Sequence, residues 1–118
     1  MAGGDRLCWR RLALDVRNLE VQVGEQRLPL PHKQFLVLQK LMEAQGDLVR
    51  YGELFELVWP EHPAPASPLR VCVSQLRAQL RRLGVECIRN VPRVGYRLVP
   101  EPRRGERRGY ATARRARP

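Results

Sequence analysis

Glu53 and Glu56, His32 and His62, and Cys8, Cys72 and Cys87 are the residues whose types could support acid–base, metal or nucleophilic chemistry. Carboxylates three apart can divide acid and base roles, but no nucleophile, glycine-rich phosphate loop or pocket signature accompanies this pair. The two histidines have no Cys or carboxylate partner at ligand spacing, so they are expected at the surface without a metal. Three cysteines without a CxxC suggest neither a disulfide framework nor a zinc site, and fit a reducing compartment. No enzyme and no cofactor are expected. The remaining chemistry is cationic: 22 Lys+Arg stand against 12 Asp+Glu, for a net charge of +10, and 20 of the 22 bases are arginine. A planar, permanently charged fork suits phosphate, which makes nucleic acid the leading partner class.

The arginines that matter most lie between Ser67 and Leu83. Ser67 is a favoured N-cap, Pro68 then fills the first helical position without losing a needed N–H, and Gly84 provides the stop. At 3.6 residues per turn, Leu69, Cys72, Val73, Leu76, Leu80 and Leu83 fall in one arc of about 100°. The opposite side carries Ser67, Val71, Ser74, Gln75, Ala78 and Arg82, with Arg70, Arg77 and Arg81 along one flank and no acidic residue on the segment. That distribution suits a helix in a DNA major groove, with Val71, Ser74, Gln75 and Ala78 toward the bases. Ser67, Arg70, Arg77, Arg81 and Arg82 would then meet the phosphates. The Gln75 amide can both donate to and accept from an adenine, while Val71 and Ala78 offer apolar contact to a thymine methyl. On a lone helix an arginine-lined face is more often merely solvated, so context decides.

The context is a β-hairpin expected over residues 86–100, with a tight turn at Pro92-Arg93-Val94. It carries Arg89, Asn90, Arg93 and Arg97 on a short projection able to enter a minor groove or hold the backbone. Upstream, alternating apolar positions in three pieces, Leu12/Leu14/Val16, Leu19/Val21/Val23 and Leu28/Leu30, predict a small antiparallel sheet. Gly24-Glu25 supplies one of its turns. A first helix is expected from Lys33 to Ala44 on Phe35, Leu38, Leu41 and Met42, and Gly46 stops it. Leu48-Val49 is a short apolar link. A second helix over roughly 51–58 shows Leu54, Phe55, Leu57 and Val58, and Trp59-Pro60 ends it. Four prolines between Pro60 and Pro68 make a stiff loop. The aromatic residues Trp9, Phe35, Phe55, Trp59 and Tyr96 fall mostly on apolar faces and are expected to pack rather than stack on bases.

Taken together, Leu30-Pro-His-Lys-Gln-Phe35, the run Gln45 to Trp59, Val73-Ser-Gln-Leu-Arg77 with Leu80, and Asn90-Val-Pro-Arg-Val-Gly-Tyr-Arg-Leu98 resemble the OmpR-type DNA-binding domain, also found in ToxR-like and CadC-like regulators. The resemblance covers roughly residues 7–100. It implies an α+β winged helix-turn-helix: an N-terminal four-stranded antiparallel sheet, three helices and a C-terminal β-hairpin wing. It also implies head-to-tail binding on direct repeats, groove contacts at Val71, Ser74 and Gln75, a phosphate contact at Arg77 and wing contacts from Asn90 to Arg93. The loop between the second and third helices, with Glu61, His62 and Ala64, corresponds to the segment that can touch RNA polymerase. Arg70 stands where the family often has an acid, and Cys72 where a polar residue approaching DNA is common. Pro92-Arg93 replaces a frequent Arg-Gly, which makes the wing more CadC-like.

Residues 1–100 are therefore expected to form one DNA-binding domain. Residues 101–118, with seven Arg and two Glu, form an arginine-rich tail expected to be disordered, either a non-specific DNA arm or a solubilising extension. No apolar run approaches the roughly 20 residues that cross a bilayer, and no signal peptide opens the chain, so a cytoplasmic, nucleoid-associated protein without a membrane partner is expected. No receiver domain precedes the module, so control by aspartyl phosphorylation within the chain is not expected. The expected partner is double-stranded DNA, bound by tandem copies or a homodimer, with RNA polymerase as a further candidate. The alternative is a protein-interaction module that binds polymerase or another regulator through loop 60–68.

Overall fold

The computed structural model describes residues 6–61 and 67–100, with the Ser67 side chain left out. The expected tail, and His62 and Ala64 of the loop, lie outside the described residues. The chain runs β1 (Arg6–Trp9), β2 (Leu12–Asp15), β3 (Glu20–Val23), β4 (Gln26–Pro29), α1 (His32–Glu43), β5 (Val49–Arg50), α2 (Tyr51–Val58), α3 (Ser67–Arg82), β6 (Ile88–Val91) and β7 (Gly95–Leu98). Two antiparallel sheets result, β1-β2-β3-β4 and β5-β7-β6.

The first sheet has four strands, as the family resemblance implies, where the apolar alternation alone marked three. Its register places Leu7, Leu14, Val21 and Leu28 opposite one another across all four strands, and Trp9, Leu12 and Val23 across three. Side chains alternate between faces along a strand, so these residues share one side. Leu12, Leu14, Val21 and Val23 are buried there in the common core. Gly24 takes φ +60 in the two-residue turn between β3 and β4, as that turn requires. Leu19 departs from the expected strand: it sits in the preceding turn at φ 56 and is exposed. The turn is organised instead by Asp15, whose carboxylate accepts from the Asn18 side-chain amide at 2.8 Å and from the backbone N–H groups of Arg17 and Asn18. The Asn18 amide leads in holding the Asp15 carboxyl below its ordinary pKa.

The helices pack their predicted stripes together. Phe35, Val37, Leu38, Leu41 and Met42 of α1 meet Leu54, Phe55 and Val58 of α2, and Leu69, Val73, Leu76 and Leu80 of α3. Pro31 precedes α1 as its N-cap, and Gly46 at φ +94 lies just beyond its end. In α2, Leu57 is 39% exposed and does not join the core, contrary to expectation. An eight-residue helix packed on one side has room for only three buried positions. Glu53 serves this helix structurally, its Oε1 accepting from the Arg50 backbone N–H at 3.2 Å.

Val49 is more than a link. With Arg50 it forms a third strand of the wing sheet, where Val49 faces Tyr96 and Arg50 faces Gly95. Gly95 is required there, because a Cβ on it would stand 2.0 Å from the Val49 carbonyl oxygen. Further bonds tie the layers together. Trp9 Nε1 donates to the Val99 carbonyl at 3.2 Å, and Arg11 Nη2 donates to the Gly84 carbonyl at 2.9 Å. The N-terminal sheet thus holds the end of α3 and the end of the wing in place.

Candidate nucleic-acid interface

α3 spans Ser67–Arg82, one residue shorter than expected, with Leu83 in the turn before Gly84 at φ +78. Its leucine side is buried, with Leu69, Val73, Leu76 and Leu80 each at most 1% accessible. Packing therefore fixes which side faces outward. Val71, Ser74, Gln75 and Ala78 are all exposed, and Val71 at 54% is the most accessible large apolar residue of the described chain. These four follow i, i+3, i+4, i+7 spacing and make one continuous strip. Arg70, Arg81 and Arg82 are exposed beside it, and Arg82 Nη1 donates to Gln79 Oε1 at 3.1 Å along the helix. Arg81 and Arg82 occupy the last turn of α3, where cations are favoured by the helix dipole.

Cys72 belongs to the opposite side of the helix. It is 6% accessible, on the apolar arc where helical spacing placed it. Burial pushes its thiol pKa up, opposed by the nearby Lys33 ammonium.

The cationic and polar residues expected on the wing separate into three groups. Arg89 and Arg97 are cross-strand partners on one face of the hairpin, and Asn90 and Tyr96 are partners on the other. Arg93 occupies the turn itself at φ 71, exposed. Arg97 is used within the domain: its Nε donates to the Gly46 carbonyl at 3.0 Å, beyond the end of α1. Asn90 is exposed and its Oδ1 accepts from the Tyr51 hydroxyl at 2.8 Å. The Tyr51 ring meets Tyr96 edge-on at 5.5 Å, and its backbone N–H donates to the Val94 carbonyl at 3.0 Å. Tyr51 is thus the residue that fastens the wing to α2.

Arg77 is half-buried between the exposed strip and the wing, and its Nη2 donates to the Ile88 carbonyl at 2.7 Å. A guanidinium carries five N–H donors, so one bond to the wing leaves others for an anion. Glu61 is exposed, just before the proline-rich segment.

Two residues near the strip had no part in the sequence reading as site residues. Gln34 of α1 is buried at 6% accessibility, and its Nε2 donates to Gln75 Oε1 at 3.4 Å. Trp59 is half-buried against Phe55, ring centroids 4.9 Å apart, and lines a cleft with Pro31, Gln34, Val71 and Gln75. The signal for Gln34 was its place four residues before Leu38 and seven before Leu41, a polar residue on an apolar stripe.

The pattern of a family described as "Transcriptional regulatory protein, C terminal" matches residues 24–98, from the β3–β4 turn to the last residue of β7. The chain belongs to this family. Among its relatives is the transcriptional regulatory protein CutR of Streptomyces coelicolor, 35% identical over 88 residues, which are 74% of this chain and 40% of CutR. The chain thus spans less than half the length of that relative. The DNA-binding domain of the response regulator AdeR, solved in complex with an intercistronic region, superposes with a TM-score of 0.70 at 23% identity, covering 77% of this chain and 96% of that one. The DNA-binding domain of Escherichia coli CadC gives 0.68 at 20% identity, covering 75% and 86%. At these identities the likeness establishes the fold, an α+β winged helix-turn-helix. The family is one of transcriptional regulators and not of enzymes. No helix among the described residues is long and apolar enough to cross a membrane.

Proposed function

We propose that this chain is a sequence-specific, double-stranded DNA-binding regulator of transcription, with α3 in the major groove and the β6–β7 wing on the flanking backbone or minor groove. The observation that carries this reading is the outward strip of Val71, Ser74, Gln75 and Ala78, free of acidic residues along α3 and bordered by Arg70, Arg77, Arg81 and Arg82. Short and amide side chains there can reach base edges, while the arginines neutralise phosphates and supply most of the affinity. Arg93 at the wing turn and Arg89 on its outer face extend the cationic footprint. Ser67, at the start of α3, is proposed as a further backbone contact, and Asn90 and Arg97 act mainly by holding the wing.

Family membership and the DNA complex of the AdeR domain support the same reading. It entails a non-enzymatic, cytoplasmic protein, and tandem copies on direct repeats rather than a two-fold palindrome. Residues 1–100 form the DNA-binding domain, and the arginine tail of residues 101–118 adds non-specific attraction. Glu61 is a candidate contact for RNA polymerase, together with His62 and Ala64.

Selection of bound duplexes from a random pool tests the reading. The expected product is a direct repeat with half-sites about one helical turn apart. Failure to enrich any sequence, or equal affinity for enriched and scrambled duplexes, would overturn it.

A further inference from the structure

We propose that Gln34 is a positioning residue for base recognition: it fixes the donor–acceptor order in which Gln75 presents its amide, and so sets the base preferred at that position. This rests on the DNA reading above and deepens it.

Among the described residues Gln34 is the one buried amide, with no charged side chain buried beside it, and it stands on the face of α1 that meets α3. Its Nε2 donates to Gln75 Oε1 at 3.4 Å, while no donor among the described residues reaches Gln34 Oε1. A buried polar atom left without a partner disfavours the folded state and calls for a reason. Turning the Gln34 amide over would let its oxygen accept from Gln75 Nε2, but would leave both Nε2 hydrogens unpartnered, where the observed order leaves the carbonyl oxygen and one hydrogen. Orphaned N–H groups are tolerated less well than under-satisfied carbonyls. The observed order is therefore the favoured one, and Gln75 receives its bond at oxygen.

That choice has a consequence on the DNA side. An exposed glutamine amide can rotate about its last torsion and offer oxygen and nitrogen in either order. Gln34 biases this choice by donating, at 3.4 Å, to one of the two lone pairs of Gln75 Oε1. The second lone pair and the Nε2 hydrogens remain, and together they match adenine, which offers the N6 donor beside the N7 acceptor. Reversed, the amide would lose that match. Gln34 contributes no base contact of its own; it acts from beneath, through Gln75.

The experiment uses the full chain and two variants, Gln34→Met and Gln34→Glu. Gln34→Met keeps the length of the side chain and removes its hydrogen bonding. Relieved of an unpartnered carbonyl, the variant is expected to unfold at the same temperature as the parent or higher. Its affinity for the selected duplex should nevertheless fall roughly 2- to 10-fold through the lost pre-ordering of one side chain, with affinity for random duplex unchanged. Gln34→Glu, acceptor-only when ionised, draws Gln75 Nε2 inward and should move the preferred base away from adenine. A structural role alone would lower the unfolding temperature and leave base preference as it was.

In the free protein, Gln34→Met should also shift the Gln75 side-chain amide resonances. Wild-type base preference in both variants, or unshifted Gln75 resonances, overturns the inference while leaving the DNA reading intact. Absence of any sequence preference in the parent chain defeats the DNA reading instead, and the resonance measurement still decides whether the two glutamines are bonded.

Discussion

The Arg77 guanidinium donates to the Ile88 carbonyl oxygen at 2.7 Å, so one arginine joins the recognition helix to the first strand of the wing. In the proposed DNA complex helix and wing must keep a fixed separation to engage adjacent grooves, and a half-buried, charge-assisted bond is suited to hold it. Arg77→Ala should therefore weaken binding to all duplexes and lower the salt dependence by about one counterion. It should also cost about 1–2 kcal/mol of stability, because Ile88 loses its donor. Denaturant titration beside salt-dependent anisotropy checks both; weakened DNA binding with unchanged stability would show that the bond does not hold the wing.

Gln75→Ala should behave differently, costing roughly 1–3 kcal/mol at a single base pair and relaxing preference there while random-duplex affinity is nearly kept. The contrast arises because Gln75 is exposed on the strip, whereas Arg77 also supports the fold. Competition with duplexes substituted one position at a time reads the difference. Equal losses on selected and random duplexes would remove Gln75 from the base-contacting set.

The orientation of α3 was legible in the sequence because one periodic stripe of Leu69, Val73, Leu76 and Leu80 leaves a single way to bury it. The β3–β4 hairpin was legible through Gly24. The β1–β2 hairpin was not, since its two-residue turn is Arg10-Arg11, with Arg10 at φ 58 and no glycine, asparagine or proline to mark it. Nor was β5, whose two residues carry no period and become a strand only by pairing with Tyr96 and Gly95. The wing residues were identifiable by type, yet their division between the Arg89/Arg97 face and the Asn90/Tyr96 face depends on register, which pairing decides. Gln34 and Gln75 are 41 positions apart, so their bond could follow only from the packing of α1 on α3.

Gly95→Ala tests the three-stranded wing. The added Cβ would collide with the Val49 carbonyl and with Arg50 Cα, both backbone atoms that cannot turn aside. Overpacking of this kind costs about 1–3 kcal/mol, occasionally more. Because the strain falls on the β5–β7 pairing, hydrogen exchange should accelerate first in Val49, Arg50 and the 95–98 strand. Unchanged stability and exchange would refute the close approach.

Alkaline pH should reveal the burial of two weak acids, Cys72 and Tyr96, that the fold keeps neutral. Burial pushes the Cys72 thiol above its ordinary value of 9.0, against the pull of Lys33. Burial, with the acidic Tyr51 phenol nearby, pushes the Tyr96 phenol above 10.0, against Arg77 and Arg70. For an acid whose folded pKa is raised, the unfolded chain loses its proton first. Stability is then fully present below the unfolded pKa and declines as pH rises from about 9 through the folded values. Cys72→Ala should remove the earlier part of that decline and Tyr96→Phe the later part. The same burial predicts selective labelling at neutral pH: exposed Cys8 should react with a thiol reagent, while Cys72 and Cys87 react only after unfolding. Denaturation midpoints measured from pH 7 to 11, with thiol counts in buffer and in denaturant, check both; a flat alkaline profile, or prompt modification of Cys72 in the native protein, would contradict the packing of α3 against α1.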